Sequence, residues 1–421
     1  MLNLRRLNKI HSSTNNTDQQ FSHHKPIFGH TGCVNALATS PGEQWLASAG
    51  DDKRILLWDI KRALVNSSSD DIENLQKSEI FSSNEVHTGN IYKLDFRNKE
   101  KVVSCGADGC IVDLDIETGH PVGFRFGGSI QNISTQKFKG SPIVAVSHQV
   151  RVIQPNTNGL GSSAKIRAGI IIFDIRSNSI PLKLGQPENQ VHSLSSKNSY
   201  YGLDFHAQDP NFLVSTNFSE GLQLWDLRFS KRAVWKTASS QKTVSTKISP
   251  NGKKIITIRK GEYPVVYDFS GAIVKKLDEL DTFSTNATIK DPCWISEDLV
   301  ACGSDDHGLC FWNLRNREKS YVKYFHKSII NQLAYCRNSD VLFSSGIEKY
   351  VTLWRKSRFM GSDDGERKRQ VFNKSEVNQI FSAHNAIRMQ QEDANGGDYR
   401  EDDVMSLAMF DFAVERTRNN D

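Results

Sequence analysis

The stretch GHTGCVNALATSPGEQWLASAGDDKRILLWDI, residues 29–60, decides the fold. Three short apolar or alternating runs are separated by Pro41-Gly42 and by Asp51-Asp52, and the third run stops at Trp58-Asp59. Proline presets a turn dihedral, glycine accepts positive φ, and aspartate bonds its own backbone two residues on, so both separators predict tight turns. Runs this short, with period-two alternation and turn residues at both ends, predict strands rather than helices. The stretch therefore reads as three consecutive antiparallel strands.

The same grammar returns at residues 86–116, 200–228 and 326–354, and weaker copies end at Phe173-Asp174, Tyr267-Asp268 and Trp312-Asn313. That makes seven units, with closing positions Trp58, Leu114, Phe173, Trp225, Tyr267, Trp312 and Trp354. Internal repetition at such a period marks an array of supersecondary units that share their cores. Units carrying Gly-His and Trp-Asp marks resemble WD repeats, and the resemblance covers about Lys25 to Trp354. It implies an all-β fold, a seven-bladed WD-repeat β-propeller of four-stranded blades.

In such blades the fourth strand lies between one Trp-Asp and the next Gly-His, which leaves the last blade one strand short. The segment HKPIF, residues 24–28, is expected to supply it and to close the ring. The resemblance further implies that His30, Ser48, Asp52 and Trp58 form a buried hydrogen-bond chain, nearly repeated by His87, Ser104 and Asp108. The organisation expected is a basic N-terminal segment at 1–24, able to form a helix, the propeller at 25–356, and a charged linker with an amphipathic C-terminal helix at 357–421.

Three segments exceed a minimal blade. Residues 61–85 contain SSSDDIENLQKSEIF, where Ser-Ser-Ser-Asp is suited to cap a helical turn. Residues 154–169 are rich in Gly, Ser and Asn and predict a long flexible loop. In REDDVMSLAMFDFAVERTR the acidic start and basic end suit a helix dipole, and its apolar face around Val404, Leu407 and Phe412 calls for a surface to dock on.

Composition narrows the function classes. With 421 residues, 38% hydrophobic and 24% charged, the chain has no apolar run long enough to span a bilayer. The net charge of +5 is spread over dispersed Lys and Arg, without the clustering and aromatic interleaving of a nucleic-acid interface. Seven cysteines without a CxxC pair read as reduced core residues, and the start MLNLRRLNKI lacks a secretory signal. Residence in the nucleus or cytoplasm is expected. No Gly-rich phosphate loop, HExxH, nucleophile elbow or spaced histidine set is present. The expectation is a non-enzyme with no cofactor and no metal.

One pattern remains. EGLQLWDLRFS, residues 220–230, places Arg228 two residues after Trp225-Asp226, and the spacing recurs in Asp174 with Arg176 and in Arg315 after Trp312-Asn313. Such a residue follows the third strand, where it can point out of the ring. A guanidinium there offers a planar fork of donors that stays charged when desolvated. LVSTNFSEGLQLWDLR, residues 213–228, resembles the Trp-Asp-x-Arg box of the substrate-receptor subunits of cullin-four RING ubiquitin ligases, the cullin-four-associated factors.

GHTGCVNALATSPGEQWLASAGDDKRILLWD, PVVYDF, CGSDDHGLCFW and SSGIEKYVTLW are similar to stretches of the same family in the same order. The resemblance implies a non-catalytic receptor whose Trp225, Asp226 and Arg228, with Asp174, Arg176 and Arg315, hold the large propeller adaptor and through it cullin-four, while other loops hold a protein substrate. Two copies depart from the box, with Phe173 in place of Trp and Asn313 in place of Asp. The alternative is a WD-repeat scaffold for a chromatin or RNA-processing complex, with Arg228 a surface or intra-blade ion pair.

Overall fold

In a computed structural model, the chain forms seven four-stranded antiparallel sheets arranged as a propeller. The structure describes residues 21–66, 79–83, 86–138, 141–155, 162–176, 182–184, 199–229, 231–237 and 242–356. Residues 1–20 of the expected N-terminal segment, the helical turn after Ser67 and the C-terminal helix lie outside these residues, whereas residues 21–24 of that segment are strand.

Six sheets are each built from four consecutive strands, and the seventh combines Ile330–Cys336, Val341–Gly346 and Tyr350–Lys356 with Phe21–Phe28. The closing strand begins at Phe21, ahead of the expected start, and pairs antiparallel from Phe21↔Lys356 to Phe28↔Tyr350. It is the outermost strand of its blade, so Pro26, which has no N–H to give a further neighbour, is tolerated there. Phe21 is fully buried and stacks on Phe311 at 5.4 Å, tying the strand to blade six.

The core is divided among the seven seams between neighbouring blades. Each closing residue packs into the seam shared with the preceding blade: Trp58 with Phe343 and Leu353, Trp225 with Ala145 and Ile170, Trp312 with Ile256 and Val266, Trp354 with Phe311. Leu114, Phe173 and Tyr267 do the same at the other three seams. The second and third strands of a blade are thus covered on both faces, which is why they read as continuous apolar runs rather than alternating ones. In blades one, two, six and seven glycine ends the second strand, where the incoming chain crosses closest. A Cβ on Gly50 would stand 1.8 Å from the Cys33 carbonyl oxygen, and one on Gly346 would stand 1.9 Å from that of Ile329.

Two segments differ from expectation. Residues 154–169 are not one long loop: the strands Ile143–Pro155 and Ser162–Asp174 pair continuously out to Pro155↔Ser162, extending blade three into a long hairpin. The composition argues for a loop, but on either side of residues 156–161, which lie outside the described residues, the chain is held in a main-chain ladder. In the blade-one insertion the described helix is Ile60–Asn66, directly after Trp58-Asp59. Ile60 and Ala63 are buried in the seam between blades seven and one, where the carbonyl of Leu64 accepts from the Arg355 guanidinium. Across the same seam the Glu43 carboxylate accepts the backbone N–H groups of Arg337 and Asn338 at 2.6 and 2.7 Å.

Candidate functional site

Strands alternate in direction within each blade, so the ring has two faces. One carries the turns between first and second strands and between third and fourth strands; the other carries the remaining connections. The three arginines sit on the first of these faces.

Asp226 ends the third strand of blade four, and its Oδ1 accepts the backbone N–H of Arg228 at 3.0 Å, which bends the chain into the 3-10 turn Leu227–Phe229. The same carboxylate receives the guanidinium: Nε donates to Oδ1 at 2.9 Å and a terminal nitrogen to Oδ2 at 2.6 Å. Asp174 and Arg176 repeat the corner in blade three, with the backbone bond at 2.9 Å and fork bonds at 3.3 and 3.1 Å. In blade six the side-chain oxygen of Asn313 accepts the Arg315 backbone N–H at 3.0 Å, but without a charged oxygen pair Arg315 turns to Asp298 at 2.6 Å. Blade five has the corner without the arginine, since Asp268 accepts the N–H and hydroxyl of Ser270.

Aspartate after the closing residue is therefore a turn cap, and an arginine two residues later folds back on it. The fork leaves Arg228 58% exposed and Arg176 66% exposed, on adjacent blades, while Arg315, two blades beyond Arg228, is 81% exposed. The Arg228 and Arg176 bonds hold the carboxyls of Asp226 and Asp174 below the usual carboxylate range. Trp225 is buried, its indole N–H donating to Ser215 Oγ at 2.8 Å, so it anchors the corner without reaching solvent.

The buried chain around His30 is complete in blade one. Trp58 Nε1–H donates to Ser48 Oγ at 2.8 Å, the Ser48 hydroxyl donates to His30 Nε2 at 2.7 Å, and His30 Nδ1–H donates to Asp52 at 2.8 Å. Every member has a partner, the condition for burying polar groups without penalty. His87 bonds Ser104 and Asp108 in the same order, but Leu114 stands where a tryptophan would donate. Blade seven runs from Trp354 through Ser344 and His326 to Glu348, a glutamate that the repeat pattern does not reveal. Burial raises the Asp52, Asp108 and Glu348 carboxyls, but the histidines and backbone N–H groups bonded to them outweigh it, and all three lie below the ordinary range. Serine lies ten residues before tryptophan in blades one, four and seven. In blade six that place holds Cys302, and the buried Trp312 indole N–H has no acceptor.

A cluster absent from the sequence reading crosses the central channel. Lys93 of blade two bonds Asp291 of blade six, which also accepts from Ser245 of blade five at 2.6 Å. Lys247 bonds Asp204 at 3.0 Å, and Lys137 and Thr135 bond Asp95 at 2.5 and 2.7 Å. Three lysines thus face three aspartates. Burial raises the Asp291 carboxyl, yet Lys93 and Lys247 outweigh it and keep it below the usual range. At Asp204 burial wins over Lys247 and the carboxyl sits above it. The signal was alternation, with Lys93 and Asp95 on one face of the strand Ile91–Phe96, but the partners lie far away in sequence. On the face opposite the arginines, a groove of about 530 Å³ between blades five and six is lined by Arg259, Tyr263, Lys276 and Asn286. Among the described residues no three His, Cys, Asp or Glu side chains are grouped to hold a metal ion, and no helix is long and apolar enough to cross a membrane.

Seven four-stranded blades, closing residues set into the seams and a Trp-Ser-His-Asp chain define a WD-repeat propeller. The family model described as WD domain, G-beta repeat matches residues 21–59. The chain is similar to DDB1- and CUL4-associated factor 5 of Homo sapiens and of Mus musculus, each 25% identical over 352 residues, covering 78% of this chain and 33% of the relative. It is also similar to WD repeat-containing protein 75 of Danio rerio, 26% identical over 164 residues, or 34% of this chain and 19% of that protein. The chain spans about a third of the length of the first two relatives.

Proposed function

We propose that this protein is a non-catalytic substrate receptor of a cullin-four RING ubiquitin ligase, associating with DDB1 and through it with CUL4. The observation that carries the reading is the Arg228 corner: an exposed guanidinium fixed by its own aspartate, on a buried tryptophan, in a chain similar to a DDB1- and CUL4-associated factor. A side chain already held in one rotamer loses little entropy on binding, which suits it to anchor a partner. Arg176, in the same corner on the adjacent blade, extends the contact. The opposite face, with its groove at blades five and six, is left for a protein substrate. The receptor then acts by proximity, raising the effective concentration of substrate lysines near the charged conjugating enzyme.

A pull-down of DDB1 and CUL4 by wild type and by the Arg228→Ala/Arg176→Ala variant tests this, after both chains are shown to melt alike. Binding by wild type with loss in the variant is the expected result. The second reading, a scaffold unrelated to ubiquitin, draws on the same forks: Asp226 and Asp174 already pair with both arginines within the chain. Failure of both forms to capture DDB1 favours it.

A further inference from the structure

The residues beside Arg228 are unlike the rest of the surface. Eight large hydrophobic residues are exposed among the described residues, and four of them follow the third strands of two neighbouring blades, Phe229 and Val234 in blade four and Ile273 and Val274 in blade five. Phe229 directly follows Arg228 in the 3-10 turn and is 70% exposed; Val234 is 56% exposed, and Ile273 and Val274 are 52% each.

Trp235 joins the two halves, because its indole N–H donates to the Phe269 carbonyl at 3.2 Å and its ring lies where a Cβ on Gly271 would come within 3.1 Å. The turn Phe269–Gly271 then leads straight into Ile273. Two segments joined through Trp235 that leave an aromatic and three β-branched side chains in water suit a surface that a partner covers. Lys231 and Arg232 are exposed between Phe229 and Val234, while the carboxylates nearby are held within the chain: Asp226 takes the Arg228 guanidinium, Asp268 the N–H and hydroxyl of Ser270, and Asp209 the N–H and side-chain amide of Asn211.

We propose that Phe229, Val234, Ile273 and Val274, flanked by Lys231 and Arg232, form one contact with Arg228 and seat an acidic surface carrying apolar side chains on the same DDB1 subunit. This rests on the receptor reading and deepens it. Arg228 supplies the oriented charge, Phe229 the central apolar anchor, and the strip beyond Trp235 carries the contact onto blade five. Partners lacking an acidic rim are disfavoured by the exposed Lys231 and Arg232.

The test titrates purified DDB1 into the full chain, comparing wild type with Arg228→Ala, Phe229→Ser/Val234→Ser, Ile273→Ser/Val274→Ser and Lys231→Glu/Arg232→Glu. Val122→Ser, an exposed apolar residue on the outer strand of blade two, serves as control. All the substituted side chains are exposed, so equal melting is expected. Each apolar double variant should weaken binding about tenfold, as loss of an interface anchor does. The charge reversal should weaken it most at low salt, and Val122→Ser should bind like wild type. Loss with Arg228→Ala but wild-type binding by both apolar variants overturns the strip and leaves the receptor reading standing. No binding by wild type overturns both. A change in sedimentation of the isolated protein on Phe229→Ser/Val234→Ser assigns the strip to a second copy of the chain and also overturns the proposal.

Discussion

The Ser48 hydroxyl holds two buried neighbours at once, accepting from the Trp58 indole and donating to His30. Ser48→Ala leaves both without a partner and is expected to cost about 2–4 kcal/mol in chemical denaturation, because unsatisfied buried polar groups cost about 1–3 kcal/mol each. Blade six offers the converse. Cys302→Ser places a hydroxyl where the Trp312 indole has no acceptor and is expected to stabilise the protein by about 1 kcal/mol, read as a shift of the urea midpoint at unchanged slope. The histidine chains also set a pH dependence. Asp52, Asp108 and Glu348 are held below their unfolded values, so their contribution is full above about pH 5 and is lost as pH falls through the lower folded values. The melting temperature of wild type should fall steeply below that point, and Asp52→Asn/Asp108→Asn should flatten the curve while lowering it at neutral pH. At this scale the Trp, Ser, His and Asp of blade one were legible because the repeat fixes their offsets. Glu348 was not, because a longer carboxylate reaching from the same turn leaves no mark in a pattern built on aspartate.

Strands carry the closure of the ring. Ile27 lies on the closing strand, fully buried against the seam of blades seven and one, and Ile27→Ala is expected to destabilise the whole protein by about 2–5 kcal/mol, the range for emptying such a site. Equilibrium unfolding followed by tryptophan fluorescence checks this; an effect near zero would mean that the closing strand is dispensable. Blade boundaries were readable because turn residues and a large closing side chain, aromatic in every unit but the second, punctuate the chain. The outer pairing of Ile143–Pro155 with Ser162–Asp174 was not, since it is held by ladder bonds between main chains, which leave no mark in the side-chain pattern. The helix Ile60–Asn66 was missed for a related reason: its cue is the seam that Ile60 and Ala63 fill, which exists only once blade seven is in place.

At the scale of the molecule, the channel is crossed by charges. Lys93 and Asp291 come from blades three steps apart around the ring, so their bond braces opposite walls. Lys93→Met removes the cation bonded to the buried Asp291 carboxylate, leaving it the Ser245 hydroxyl, and is expected to cost about 3–5 kcal/mol, whereas Lys93→Met/Asp291→Leu should recover most of that loss, as replacement of a buried pair by apolar residues does. Denaturation of the three proteins measures it, and equal stability of the single and double variants would show that the pair does not act as a brace. The closing strand has a further consequence, in time rather than space. Residues 21–28 pair with residues 350–356, so a ribosome must deliver nearly the whole propeller before the ring can shut. Until then the first blade presents an unsealed apolar flank and the strand 21–28 waits without its neighbour, a state prone to aggregation. The cellular level of this protein should therefore depend on chaperones that hold the open ring, and seam substitutions such as Ile27→Ala should lower its yield during synthesis more than its half-life once closed.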